Sequence, residues 1–246
     1  MAGAAFLCGL GAYRAGAGLV RLVTEEENRE ILQTLLPEAV MTVLGSEWES
    51  ELLEVLEWST VIVLGPGLGQ SDKAARKAET VLRYGSLHPE KPVLIDADGL
   101  NLLAGHPEWR DYLRMPLILT PHPGELSRLL GKDIGDVLAD LPGSARQCAE
   151  TFRCVAVAKD ARTVVAEKEG PFYINTSGSS AMAKAGSGDV LAGAIAGLLA
   201  CGMPARKAAE YGVYLHGLAG ERWQEEHSER GLTARELADS LGNLQG

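Results

Sequence analysis

The chain has 246 residues, 46% of them hydrophobic, and a formal net charge of −10. Because α/β folds often reach this length as one unit, we expect a single domain over residues 1–246 with a large apolar core. The acidic balance and the lack of a Lys/Arg-rich stretch argue against a binding surface for nucleic acid or for anionic membranes.

Cysteine usage and the first segment bear on the cellular compartment. The cysteines lie in mostly apolar segments, without the spacing of a metal site or a redox motif, and are predicted to be reduced core residues. They are Cys8, Cys148, Cys154 and Cys201. The first segment lacks the basic n-region of a signal peptide, and no apolar run reaches membrane-spanning length without glycines or charges. We therefore expect a soluble, cytoplasmic protein.

The hydrophobic pattern predicts a chain that opens on a helix and then alternates strands with helices. Helices are predicted over residues 5–15, 25–36, 47–58, 71–84, 204–223 and 233–241. Strands are predicted over residues 19–23, 39–44, 61–64, 92–95, 116–119, 155–158 and 171–175. Five of the apolar runs, ending near Val23, Leu64, Ile95, Leu119 and Ala158, predict one mainly parallel sheet with helices on both faces. The predicted fold class is α/β.

Glycines and carboxylates follow two of the predicted strands. A G-P-G-L-G turn occupies residues 65–69, and Asp96 follows the run that ends at Ile95. Because ligands bind at the carboxyl ends of parallel strands, we expect Asp96 to face the same crevice as this turn. A glycine-rich turn is also common as a mere tight connection. Asp98 is expected to cap the helix that follows it.

Two further predicted strands are followed by side chains that could take part in binding or catalysis. His122 lies between Pro121 and Pro123, which restrict the backbone on both sides and so fix the position of the imidazole. Glu125 is expected to be the carboxylate of a capping box. After the run that ends at Ala158, Lys159 and Arg162 provide local positive charge for a phosphate, or else are solvated turn residues.

A polar loop and an alanine-rich helix occupy residues 175–200. The sequence Gly186-Ser187-Gly188-Asp189 lies at their junction, where glycines allow close approach of a ligand and helix N–H groups suit a phosphate. Asp189 is either a residue that interacts with the helix dipole or a group kept for proton transfer. His216, further along the chain, is interpreted as a packed helix residue.

Eight motifs occur in one order over most of the chain. They are G-A-A at 3–5, G-A-G-L-V at 16–20, G-P-G-L-G at 65–69, D-A-D-G-L-N at 96–101, T-P-H-P-G-E at 120–125, the 159–163 turn, N-T-S-G at 175–178 and G-S-G-D-V-L at 186–191. Together they resemble the ADP- or ATP-dependent (S)-NAD(P)H-hydrate dehydratases of the ribokinase-like superfamily. The resemblance implies a ribokinase-like fold and a repair enzyme that returns the S-epimer of hydrated NADH or NADPH to the normal cofactor.

The same resemblance implies roles for individual residues. Asp189 would be the catalytic base. The substrate contacts would be Ala5, Gly67, Gly69, His122 and Asp189. The nucleotide contacts would be Lys159, Asp160, Ala161, Arg162, Thr163, Gly186 and Gly188. The family relation also implies ADP or ATP, Mg²⁺ with no ligands assigned, and a homo-oligomer for which a tetramer is one candidate size.

The sequence departs from the family pattern at two places. Family members usually carry a strand and a glycine-rich loop before G-A-A, so the resemblance predicts a fragment, an alternative start, or the remnant of a longer, bifunctional protein. The turn that usually reads Lys-Gly is Lys159-Asp160 here, which places a negative charge near the nucleotide contact.

Two other functions remain open. The same aspartate and loop serve small-molecule kinases of the superfamily, such as those acting on a hydroxyethylthiazole-like alcohol. A third interpretation is a nucleotide-binding remnant without catalysis. The T-P-H-P-G-E motif favours the dehydratase.

Overall fold

The computed structural model describes residues 1–228 and 230–243 and contains two compact units. Unit 1 consists of Met1–Trp58, Thr176–Met203 and Tyr211–Gly246, and unit 2 consists of Ser59–Asn175 and Pro204–Glu210. The single domain over residues 1–246 stays a prediction.

Helices and strands alternate along most of the chain, as the apolar periodicity predicts. The α-helices are α1 (Ala2–Arg14), α2 (Glu26–Leu35), α3 (Trp48–Trp58), α4 (Asp72–Leu87), α5 (Asp98–Gly105), α6 (Pro123–Leu130), α7 (Ile134–Ala139), α8 (Leu141–Phe152), α9 (Ser187–Ala200), α10 (Ala205–Glu226) and α11 (Ala234–Gly242). The strands are β1 (Arg21–Thr24), β2 (Val40–Val43), β3 (Ile62–Leu64), β4 (Val93–Ile95), β5 (Leu117–Leu119), β6 (Val155–Ala158), β7 (Val164–Ala166) and β8 (Tyr173–Ile174). Short 3₁₀ helices cover Pro107–Tyr112 and Ser180–Met182.

Unit 2 is built on a six-stranded sheet in the order β3-β4-β5-β6-β7-β8. The first four strands are parallel, and β7 and β8 are added antiparallel. Every residue of β4, β5, β6 and β7 is buried, which agrees with their continuous apolar runs. The predicted α/β class is confirmed, with a sheet that is mixed rather than wholly parallel.

The apolar run that ends near Val23 does not join that sheet, so this part of the sheet prediction is wrong. It forms β1, which pairs in parallel with β2 in a separate two-stranded sheet of unit 1. Val23 is 36% exposed, and Arg21 lies over the Trp58 ring at 4.4 Å from its centroid. An apolar run predicts a strand, but the tertiary structure decides which other strand it pairs with.

In unit 1, α1 and α9 pack with their backbones in close approach. A Cβ atom on Gly193 would lie 2.0 Å from the carbonyl oxygen of Cys8, and one on Gly197 would lie 2.5 Å from that of Ala12. On the facing helix, a Cβ on Gly11 would lie 2.5 Å from the Val190 oxygen. Small residues are therefore required on both helices, which explains the glycine- and alanine-rich composition of the segment after Asp189.

The cysteine prediction is confirmed for three residues and wrong for one. Cys8, Cys148 and Cys154 are buried, and burial raises the pKa of the Cys154 thiol well above its usual value. Cys201 is exposed, because it lies at the carboxyl end of α9, where its Sγ is 3.4 Å from the Gly16 oxygen. Within the described residues, none of the four cysteines forms a disulfide bond. Among residues 1–228 and 230–243, no helix combines the length and the hydropathy needed to cross a bilayer.

The close approach of α1 and α9 predicts that one added methyl group will strongly lower the stability of the protein. Gly193→Ala would place Cβ against the backbone of α1, and we expect a loss of about 1–3 kcal/mol or more in the free energy of unfolding. Gly3→Ala is the matched control on α1, since no atom lies within 4 Å of its Cβ position. Urea denaturation measures both, and equal midpoints would contradict this packing.

Candidate active site

The parallel strands of unit 2 end at one edge of the sheet, and polar side chains gather there. Asp96 follows β4, Thr120 and His122 follow β5, and Lys159 follows β6. With Glu125 of α6 they form what we call the carboxyl-edge cluster. Because β3 to β6 pair in parallel, the runs that end at Leu64, Leu119 and Ala158 finish at the same edge of the sheet.

A buried ion pair lies at the centre of this cluster. The Lys159 ammonium donates to Asp96 Oδ1 at 2.7 Å, and the Thr120 hydroxyl donates to the same oxygen at 2.7 Å. The Asp96 side chain is 2% exposed and that of Lys159 is 18% exposed. Lys159 is therefore not a solvated turn residue, and Asp96 reaches the strand ends as predicted.

Lys159 also ties together strands that are not neighbours. Strand β5 lies between β4 and β6, so the ammonium of Lys159 passes over the end of β5 to reach Asp96. The Lys159 N–H donates to the Pro121 carbonyl at 2.8 Å. One side chain and its own backbone thus hold the ends of three strands in a fixed arrangement.

The G-P-G-L-G turn packs directly against the backbone of the aspartate segment. Gly65 has a φ of 126°, and a Cβ there would lie 1.8 Å from the Asp96 carbonyl oxygen. The Gly69 N–H donates to Asp98 Oδ2 at 2.8 Å, and Gln70 Nε2 donates to Asp98 Oδ1 at 3.1 Å. The turn is both a tight connection and part of the strand-end surface.

The predicted capping role of Asp98 is wrong. Asp98 is the first residue of α5, and the N-cap is Ala97, which has a φ of 51° and makes no side-chain cap bond. The Asp98 carboxylate binds the glycine-rich turn instead, because that turn lies beside it in space. A non-glycine residue with positive φ is strained, and this strain lies between the two aspartates.

His122 is held at the start of α6 in the way that its flanking prolines predict. It is the N-cap residue, and Pro123 is the first residue of the helix. The Gly124 N–H donates to His122 Nδ1 at 3.1 Å, and the His122 N–H donates to Glu125 Oε2 at 2.9 Å. The capping-box role of Glu125 is confirmed. The imidazole remains half-exposed, with 53% of the side chain accessible.

The surroundings of His122 favour the neutral imidazole. Its pKa is lowered first by partial burial and then by the positive charges of Lys159 and Arg128, against a smaller opposing effect of Asp96. Burial raises the pKa of the Glu125 carboxyl, which positive charges and the His122 N–H partly oppose. Arg128 itself donates to Asn101 Oδ1 at 2.8 Å. Nothing in the sequence pattern indicated Arg128 as a member of this surface.

Strands β6 and β7 form an antiparallel hairpin, and residues 159–163 are its turn. Asp160, Ala161 and Arg162 are exposed, whereas Lys159 turns inward to the ion pair. The Thr163 hydroxyl lies 3.4 Å from the Asp160 carbonyl, within the turn. The hairpin therefore presents a short polar segment beside the carboxyl-edge cluster of unit 2.

In unit 1, Asp189 lies in the first turn of α9. The N-cap is Gly186, with a φ of 93°, and a Cβ there would lie 2.5 Å from Leu7 Cδ1. The N-cap provides no side-chain bond to the helix, and the Ser187 hydroxyl donates back to the Met182 carbonyl at 2.8 Å. Asp189 and Gly188 are partly accessible. Ala5 lies on α1, the helix packed against α9, and is also partly accessible.

Helix α10 supports the loop before α9. Buried His216 has Nε2 at 2.9 Å from the Ser187 carbonyl, so its interpretation as a packed helix residue is confirmed. The Ser177 hydroxyl donates to the Tyr214 carbonyl at 3.0 Å, and the Gly178 N–H donates to Glu221 Oε1 at 2.9 Å. The N-T-S-G motif is thus fixed to one helix at several points.

The roles assigned to individual residues stay predictions. Within the part of the chain that the structure describes, no group of three or more His, Cys, Asp or Glu side chains is placed to hold a metal ion.

Solved structures define the class of protein. A ribokinase-like superfamily protein from Enterococcus faecalis has a TM-score of 0.86 at 27% identity, with 98% of this chain and 81% of that chain covered. An ADP/ATP-dependent NAD(P)H-hydrate dehydratase from Bacillus subtilis, co-crystallised with ATP and Mg²⁺, has a TM-score of 0.81 at 32% identity, covering 99% and 84%. The fold is ribokinase-like, as the motifs predicted.

Sequence comparison gives the family. The model of the NAD(P)H-hydrate dehydratase family matches residues 1–243, and the chain belongs to that family. The ADP-dependent (S)-NAD(P)H-hydrate dehydratase of B. subtilis is 36% identical, over 98% of this chain and 83% of its own. A bifunctional NAD(P)H-hydrate repair enzyme of Thermofilum pendens is 38% identical, over 97% of this chain and 46% of its own. The chain thus spans about half the length of the bifunctional relatives it matches.

The ion pair at the strand ends predicts an asymmetric mutational effect. Asp96→Asn keeps an acceptor for Thr120 but leaves the Lys159 ammonium without its counter-charge, and we expect a loss of about 3 kcal/mol in the free energy of unfolding. The double variant Asp96→Asn/Lys159→Met should recover part of it. Glu79→Gln, which breaks the more exposed pair with Arg83, should cost about 0.5 kcal/mol or less. Similar losses in both single variants by urea denaturation would refute the buried pair.

Proposed function

We propose that this chain catalyses the ADP-dependent dehydration of the S-epimer of hydrated NADH or NADPH, and so returns the damaged dinucleotide to the normal cofactor. The observation that carries the proposal is the family match over residues 1–243, which includes the T-P-H-P-G-E segment that forms the His122 cap. The B. subtilis relatives are named for this activity.

The proposed chemistry replaces a poor leaving group with a good one. Hydroxide leaves the hydrated ring slowly, whereas a phosphorylated hydroxyl leaves as phosphate with the ring nitrogen supplying electrons. Transfer of the terminal phosphoryl group of ADP to the hydroxyl gives AMP and the phosphate ester. Elimination then gives inorganic phosphate, NADH or NADPH, and a proton.

Each proposed role uses a feature of the chain's own residues. Asp189 accepts the proton of the hydroxyl, and the N–H groups of the first turn of α9 stabilise the transferred phosphoryl group. Gly188 and Gly186 allow that group to approach the backbone. His122, Gly67, Gly69 and Ala5 contact the hydrated nicotinamide nucleotide. The 159–163 segment binds the adenine nucleotide.

Mg²⁺ belongs to the proposal only as an ion that accompanies the nucleotide. Sites for Mg²⁺ with nucleotides use one or two carboxylates together with phosphate oxygens, and the described residues offer no cluster of three ligands. The proposal includes no protein ligand for Mg²⁺. The B. subtilis structure was obtained with ATP and Mg²⁺. A homo-oligomer and a cytoplasmic location are further parts of the proposal.

Turnover of the hydrate tests this function directly. Purified protein with hydrated NADH and ADP should restore the absorbance of NADH and release AMP and phosphate in equal amounts, with ATP tested in parallel. A hydroxyethylthiazole-like alcohol with ATP is the control for a small-molecule kinase. Phosphorylation of that alcohol without hydrate repair would favour the kinase, and nucleotide binding without either reaction would favour a non-catalytic protein.

The substitution Asp189→Asn distinguishes a role of Asp189 as a general base from a role as a capping residue. Asparagine caps nearly as well but cannot accept the proton, so kcat should fall by roughly 10²- to 10⁴-fold. The dissociation constant for ADP should stay the same or decrease, because a negative charge near the phosphates is removed. Steady-state kinetics and calorimetry measure the two quantities, and a near-normal kcat would reject Asp189 as the base.

A further inference from the structure

The backbone around His122 selects one form of its imidazole. Nδ1 lies 3.1 Å from the Gly124 nitrogen, whose N–H can only donate. A proton on Nδ1 would place an N–H donor of the ring opposite the Gly124 N–H donor, with no acceptor between them. The neutral ring in this position therefore carries its proton on Nε2.

Glu125 fixes the orientation of that ring. Its carboxylate is buried, with 6% of the side chain exposed, and Oε2 accepts the His122 N–H at 2.9 Å. The other oxygen, Oε1, lies 3.5 Å from His122 Nε2. This separation is longer than a full N–H···O bond, so the carboxylate lies beside Nε2 and leaves the Nε2–H able to form a shorter bond with another acceptor.

The charges that face His122 favour the same form. Lys159 and Arg128 lower the pKa of the imidazole together with burial, and Asp96 opposes them with the smallest effect. The ring is half-exposed, so a ligand can reach Nε2. A neutral ring that offers one oriented N–H suits an oxygen acceptor.

We propose that His122 donates a hydrogen bond from Nε2–H to an oxygen of the hydrated nicotinamide nucleotide, and that Glu125 is the positioning residue that holds the imidazole in this orientation. The proposal rests on the proposed function, which assigns the hydrate to His122.

Two substitutions at His122 test the roles of its two ring nitrogens separately. His122→Asn retains an acceptor for the Gly124 N–H but loses the distal donor, whereas the longer side chain of His122→Gln carries an N–H donor toward the position of Nε2. We expect kcat/KM for the hydrate to fall roughly ten- to a hundredfold in His122→Asn and less than about threefold in His122→Gln. Melting temperatures control for folding. Equal activities, or a more active His122→Asn, would overturn the donor role.

Glu125→Gln tests the positioning role. Its amide oxygen still accepts the His122 N–H, so the helix cap and the melting temperature should be retained, while the negative charge beside Nε2 is lost. KM for the hydrate should rise about threefold to tenfold with an unchanged ADP dissociation constant. In a His122→Asn background the same substitution should have little further effect, because its target is gone. An equal effect in both backgrounds would reject Glu125 as a positioning residue.

The acceptor oxygen is identified with an analogue. A hydrate whose carboxamide oxygen is replaced by sulfur is a poor acceptor at that atom. If the carboxamide is the partner, His122→Asn should lose little additional activity with this analogue, and if a phosphate oxygen is the partner, the full loss should remain.

A measurement on the free protein distinguishes failure of this inference from failure of the proposed function. Nitrogen-15 NMR of the imidazole should show the Nε2–H tautomer without any ligand, and the Nδ1–H tautomer would overturn the inference. If the wild-type protein binds the hydrate without turnover, the proposed function fails and the two His122 variants are compared by dissociation constant. If it does not bind the hydrate, both fail.

Discussion

The buried ion pair between Asp96 and Lys159 is the interaction on which the strand-end surface of unit 2 depends. It joins the ends of β4 and β6 across β5, with Thr120 bound to the same carboxylate oxygen. A charged pair with so little exposure is costly to desolvate and very costly to break. The segment that carries His122 is therefore held from one side by Lys159, through Pro121, and from the other by the cap of α6.

Unit 1 depends on a different kind of interaction. Its constraint is steric, since glycines on α1 and α9 bring two helix backbones into contact. Close packing of backbones leaves few alternative arrangements, because any added atom meets main chain that cannot move independently. Asp189 thus begins a helix whose position is determined by packing over its whole length. His216 fixes the same turn through the Ser187 carbonyl.

The electrostatics are local in a chain whose net charge is −10. The positive charges that act on the carboxyl-edge cluster therefore belong to individual groups, Lys159 and Arg128. The same two cations lower the pKa of His122. The placement of these charges beside His122 therefore matters more than their number.

Local features of the sequence determined much of this protein. A continuous apolar run predicted β6 residue by residue, and the prolines with Glu125 predicted the cap of α6, because these depend on neighbours within a few residues. The ordered motifs predicted the family. Only the tertiary structure decided that β1 pairs with β2, that Asp98 binds the glycine-rich turn, and that Lys159 binds Asp96. Those contacts join residues far apart in the chain, so no local sequence pattern predicts them. The sequence around a charged residue after a strand is the same whether its side chain is solvated or forms an ion pair.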